Sequence, residues 1–146
     1  MSALLELAER CEDATGPDRG LNREVALVVG WHRYTPSEMG RSSPGWISPE
    51  DFIGEYVAKD GRRSPKLDSL HGTSISREPH NYLGSIDAAM SLIPARLRKT
   101  ISINIQGDMV QALIFREGDG VVGRGDARFA PLALCAAALR ARAGVA

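Results

Sequence analysis

"TISINIQGDMVQALIFREGDGVVGRGDARFAP", residues 100–131, is the stretch on which the fold turns. Ile101, Ile103 and Ile105 alternate with Ser102, Asn104 and Gln106, the two-residue period of a strand with one buried face. Gly107-Asp108 supplies a two-residue turn, and the run from Met109 to Arg116 returns as the antiparallel partner. Apolar residues on both faces of this second run mark it as the more central strand. Gly118, Gly120 and Gly123 have the G-x-G-x-x-G spacing of a dinucleotide-binding turn. Such a turn works where its third glycine opens a helix inside a parallel unit, so that the helix amides hold the pyrophosphate. Here the preceding strands pair antiparallel, and "RGDARFA" has no helical period before Pro131. These glycines are therefore read as a turn into a short third strand, "VVGRGDARF". Arg124-Gly125-Asp126 also spells an adhesion tripeptide, but solvated turn residues are the expectation for a reduced chain without a leader.

Working outward, "PLALCAAALRARAG" reads as a closing helix with Leu132, Cys135, Ala136 and Leu139 on one face. "NYLGSIDAAMSLIP" places Ser85 as the cap of a helix carrying Ile86, Ala89, Met90 and Ile93, stopped by Pro94. At the start, Leu4, Leu5, Ala8 and Cys11 recur at helical spacing, and Gly16 and Pro17 end that helix. "LNREVALVVG" is a second short helix or an apolar strand; its length leaves both open, with helix favoured. Segregated strands with flanking helices indicate an α+β fold, a three-stranded antiparallel sheet sandwiched with helices.

The segment 31–80 interrupts this order as a loop-rich insertion in a single domain spanning residues 1–146. In it Pro, Gly and Ser cluster and apolar periodicity fades. One island stands out: "SPEDFIGEYVA" puts Ser48 at an N-cap, Pro49 at the first helical position and Glu50 and Asp51 in the first turn, which predicts a short helix.

The chain has 146 residues, eighteen Lys plus Arg against eighteen Asp plus Glu, and 43% hydrophobic residues. That is the composition of a globular chain with no global field to steer it onto nucleic acid or an anionic membrane. Cys11 and Cys135 sit in helix-like surroundings and are expected as reduced, buried thiols in a cytoplasmic setting. The N-terminal residues lack the basic region and unbroken apolar core of a signal peptide, and no segment reads as membrane-spanning.

"LLELAERCEDATGPDR", "NYLGSIDAAMSLIP" and "ALCAAALRARA" resemble, in order, small phage and prophage proteins of alphaproteobacteria, which are in turn similar to the phage ABA sandwich domain family. The resemblance covers about a third of the chain, mainly core-forming residues. It implies a sheet layered between helices and carries no activity with it.

No catalytic constellation, metal site or cofactor site is expected. His32, His71 and His80 lack Cys or carboxylate companions at ligand spacing. Ser85 and Asp87 suit helix capping better than nucleophilic catalysis, and Glu50, Asp51 and Glu55 read as a solvated helix start rather than a catalytic carboxylate set. Binding is the better prospect. Lys59, Arg62, Arg63 and Lys66 form a local basic stretch, followed by His71, Arg77 and His80. Trp31, Tyr34, Trp46 and Tyr56 lie in or beside the same segment, either anchoring it or forming a recognition surface with the arginines. The candidate binding residues are accordingly Trp46, Arg62, Arg63, Lys66, His71, Arg77, His80 and Tyr82. With the phage resemblance, the expectation is a non-enzymatic accessory protein that binds and inhibits a host protein or complex, of the anti-defence, CRISPR-inhibitor kind. The alternatives are a sponge for a small nucleotide signal and a virion structural or assembly protein. Membrane is not an expected partner, and a homo-oligomer stays open.

Overall fold

An α-helix that is apolar on every side is stable in water only when enclosed on every side. Helix α5, Ala130–Val145, is of this kind: Leu132 through Leu139 are all buried, as is Ala141. In the computed structural model, which describes residues 2–40, 42–68, 75–97 and 100–145, the chain divides into two compact units, Met1–Val25 with His80–Ala146, and Ala26–Pro79.

In the first unit, strands β5 (Ile101–Gln106), β6 (Met109–Arg116) and β7 (Gly120–Ala127) form an antiparallel sheet in that order. The hairpin and third strand expected from the sequence are present, and the fold is α+β. Register places Gly123 opposite Ile114 and Gly125 opposite Ala112, so both glycines share the face covered by α5. A methyl group on either would collide with a helix carbonyl oxygen, that of Ala137 for Gly123 and of Ala133 for Gly125. These glycines therefore let helix and strand backbones approach each other, while Gly118 and Gly120, at φ 84° and 76°, shape the preceding turn. Arg124 to Asp126 lie in β7, not in a turn; Gly125 is buried there, and Arg124 Nε pairs with Asp126 Oδ2 at 2.8 Å.

Helix α1 (Ala3–Asp13) begins at Ser2, whose side chain accepts the Leu5 amide, and buries Leu7, Ala8 and Cys11 against α5. Helix α2 is Arg19–Val28, so residues 21–30 are mostly helix and not strand. Helix α4 (Ile86–Ser91), capped by Ser85, also packs on α5, and a 3-10 turn at Ala95–Leu97 leads towards β5. Asn22 on α2 is a buried fastener: its Nδ2 donates to the His80 carbonyl at 2.9 Å and its Oδ1 accepts the Leu83 amide at 3.3 Å. The expectation of a buried isoleucine face on β5 needs correcting. Ile103 and Ile105 are 43% and 81% exposed, because α5 lies over β6 and β7 and stops short of the edge strand.

The second unit holds two small antiparallel sheets, β1 (His32–Tyr34) with β2 (Gly45–Ile47), and β3 (Phe52–Val57) with β4 (Arg63–Leu67). Between β1 and β2 runs the one-turn helix α3 (Pro36–Met39), with a Thr35/Glu38 capping box and Gly40 in the left-handed conformation behind it. Trp46 Nα and carbonyl both bond to Ser76, at 2.8 and 2.9 Å, which adds a one-residue bridge to the small sheet.

The helix expected after Ser48 is not there. Ser48 does cap a turn, its Oγ accepting the Asp51 amide at 3.3 Å and donating to Asp51 Oδ2 at 3.0 Å, but the chain then enters β3. The physical reason lies in "FIGEYV": β-branched and aromatic residues favour a pleated surface, and Gly54, at φ 150°, takes a conformation no helix accepts. The register shift between Phe52 and Gly54 is a bulge at that glycine.

Candidate functional site

The β3–β4 hairpin is where cations, an aromatic ring and exposed aliphatic side chains come together. Its turn is fastened by Ala58, whose amide donates to the Arg62 carbonyl at 2.8 Å, and by Gly61 at φ 87°. Paired residues share a face, so Glu55 with Pro65 and Val57 with Arg63 point one way, while Tyr56 with Ser64 points the other.

On the first face the hairpin is tied to its own unit. Arg63 Nε meets Glu38 Oε2 at 3.0 Å, its Nη1 lies 3.7 Å from Glu55 Oε2, and its guanidinium sits 5.3 Å from the Tyr34 ring centre. The buried Tyr34 hydroxyl donates to Glu55 Oε2 at 2.6 Å. Burial first, then this hydrogen bond to a carboxylate, holds the Tyr34 phenol above its ordinary range. The Thr35 amide, followed by Arg63, holds Glu38 below the usual carboxylate range. Four residues from β1, α3, β3 and β4 thus form one charged hydrogen-bonded knot. Arg63 belongs to it and acts as a structural member of the unit.

The outer surface is different. Tyr56 is 61% exposed on it, and the same six-residue strand also exposes Ile53 and Val57, at 63% and 67%, with Val57 on the Arg63 side next to the turn. Lys66 Nζ stands 4.5 Å from the Tyr56 ring centre. Arg62 is held at the turn by Asp60, whose Oδ1 accepts the Arg62 amide at 3.1 Å and whose Oδ2 accepts Nε at 2.7 Å. Lys59 is exposed on the same turn. A partly immobilised arginine, a lysine braced on an exposed tyrosine and two exposed aliphatic side chains on one hairpin are the composition of a protein-recognition element.

The other expected binding residues do not join this patch. Trp46 is fully enclosed at the centre of β2, so a hot-spot role gives way to a core role; Arg33 lies over its ring at 5.6 Å. His71 lies outside the described residues. Arg77 is exposed and lines a recess with Ser42, Ser43 and Ile75. His80 and Tyr82 belong to the first unit, where the His80 ring lies 6.0 Å from that of the buried Tyr82. Ile53 and Val57 were not singled out from the sequence, because a helix was expected there; the signal that finds them is the strand-forming run on either side of Gly54.

Chemistry elsewhere is muted. Among the described residues no three His, Cys, Asp or Glu side chains group as metal ligands. His32 is stacked on Phe52, ring centres 3.5 Å apart. Burial pushes the Cys11 thiol up to about 12 and the Cys135 thiol well above its ordinary value, so neither supplies a thiolate at neutral pH. No helix among the described residues is long and apolar enough to cross a membrane. Compared with family models, curated proteins and solved structures, the chain matches none.

Proposed function

We propose that this chain is a non-enzymatic accessory protein that binds and inhibits a protein component of a bacterial host's defence, of the CRISPR-inhibitor kind, through the outer face of the β3–β4 hairpin. The observation that carries the binding part is the exposed Tyr56 with Lys66 over its ring, on a hairpin that also exposes Ile53, Val57 and Arg62. Exposed apolar side chains on a small protein need a reason when they are contiguous in one element, and recognition is the usual one. Tyr and Arg supply large contact area and directional donors, which is why they dominate binding hot spots. The defence target rests on the resemblance of the chain to phage and prophage proteins.

The test is phage plaquing on a host whose CRISPR system targets that phage. Expression of the chain restores plaquing, and a Tyr56→Ser, Arg62→Ser double variant with unchanged melting temperature does not. Full immunity in the presence of the folded wild-type chain, across CRISPR types, overturns the inhibitor reading; rescue by the double variant overturns the hairpin assignment.

A further inference from the structure

The two edges of the three-stranded sheet are finished differently. At the β7 edge, Glu12 Oε2 accepts the Asp126 amide at 2.9 Å, Arg140 Nη1 donates to the Arg124 carbonyl at 2.7 Å, and Arg140 Nη2 meets Glu12 Oε1 at 2.5 Å. An ion pair from α1 and α5 therefore engages two outward-pointing backbone groups of that strand, the Asp126 amide and the Arg124 carbonyl. Such capping is how proteins stop a sheet from adding further strands. The β5 edge has nothing comparable among the described residues: β5 pairs with β6 alone, and Ile103 and Ile105 stand 43% and 81% exposed on it.

We infer that β5 pairs antiparallel with β5 of a second copy, joining two three-stranded sheets into one of six strands. Three observations select a second copy. First, Ile101–Gln106 contains no charged residue, so two copies meet without the like-charge repulsion that ordinarily keeps edge strands apart. Second, the strand is self-complementary. Ile101, Ile103 and Ile105 share the face of Ile114, Ala112 and Val110, and Ser102, Asn104 and Gln106 the other, so two-fold pairing about Ile103 or Asn104 sets isoleucine beside isoleucine and polar side chain beside polar side chain. Third, α5 covers β6 and β7 but leaves the isoleucines uncovered on its own side of the sheet, and the partner's isoleucines fill the strip beside it. Because the β7 edges are capped, association closes at two and does not propagate. A six-residue strand is about 20 Å long, an interface at the small end of the range, so the dimer is weak and concentration-dependent.

Analytical ultracentrifugation of the full chain up to about 1 mM shows a monomer–dimer equilibrium, and Ile105→Lys, at a site too exposed to disturb folding, shifts the dissociation constant at least tenfold. Hydrogen exchange of the wild-type chain provides a readout without any variant: amides of Ile101–Gln106 gain protection as concentration rises, and those of Gly120–Ala127 do not. A monomer at every concentration, a dimer unaffected by Ile105→Lys, assemblies growing beyond two, or exchange at β5 independent of concentration each overturn the inference.

Discussion

The unit of Met1–Val25 with His80–Ala146 and the unit of Ala26–Pro79 bury their interiors by opposite means. The first uses one apolar helix with small residues around it: five alanines and a cysteine accompany three leucines among the buried residues of α5, and Gly123 and Gly125 bring β7 against its backbone. The second has two-stranded sheets, which are marginal by themselves, and relies on few large side chains, Trp46 and Tyr34 foremost, and on the knot of Tyr34, Glu38, Glu55 and Arg63. The difference teaches where each unit is vulnerable. A close-packed backbone contact fails when an atom is added, whereas an aromatic centre with a polar knot fails when atoms are removed.

Truncation of the largest enclosed side chain is the strongest way to break the second unit. Trp46→Ala removes an indole with no exposed surface and costs about 3–5 kcal/mol. The effect is read as a lower denaturation midpoint, with proteolytic cleavage appearing first within residues 26–79. A smaller loss, about 3 kcal/mol, follows Gly125→Ala in the first unit, since the new methyl group meets the Ala133 carbonyl and the helix must retreat. Gly118→Ala sharpens that reading. It has open space around it and costs about 1 kcal/mol, from its positive φ alone. If urea denaturation gives equal losses for the two glycines, close packing is not what Gly125 provides.

The polar contributions come next. Tyr34→Phe keeps the ring but leaves Glu55 without its phenol donor, for a loss of about 1–2 kcal/mol in the same assay. Glu12 gives a pH-dependent counterpart in the first unit. Burial raises its pKa, but the Arg140 hydrogen bond and the Asp126 amide outweigh that and leave it below the usual carboxylate range. A depressed carboxylate contributes stability that is present above the ordinary glutamate value of about 4.3 and is lost as pH falls through the lowered folded value. The wild-type melting temperature therefore drops below about pH 4 more steeply than that of Glu12→Gln. At neutral pH the variant costs about 1 kcal/mol.

The legible part of the fold was that written in short-range pattern. The alternation of Ile101 to Gln106, the Gly107-Asp108 turn, the Ser85 cap and the apolar run after Pro131 each state their element within a few residues. The strand at Phe52–Val57 was misread because the Ser48 cap is genuine and local, while the hairpin is decided by a partner strand six residues further on. The burial of Ile103 and Ile105 was misread for a related reason. Alternation states that a strand has an apolar face but not whether a helix reaches across to cover it. Of the candidate site, Arg62 and Lys66 were visible as a basic stretch; Tyr56 became a surface residue, and Trp46 a core residue, only when tertiary pairing placed them.

Native-state hydrogen exchange on the full chain tests the contrast between the two units most directly. Amides of β6, β7 and α5 exchange only through the largest opening, because they lie in the close-packed helix-on-sheet layer, while those of Phe52–Val57 and Arg63–Leu67 exchange through a smaller opening that releases the hairpin from its knot. Tyr34→Phe accelerates the hairpin amides and leaves α5 unchanged. Equal protection across both units, or a Tyr34→Phe effect spread evenly over the chain, contradicts the division between a rigid helix-on-sheet unit and a separately anchored recognition hairpin.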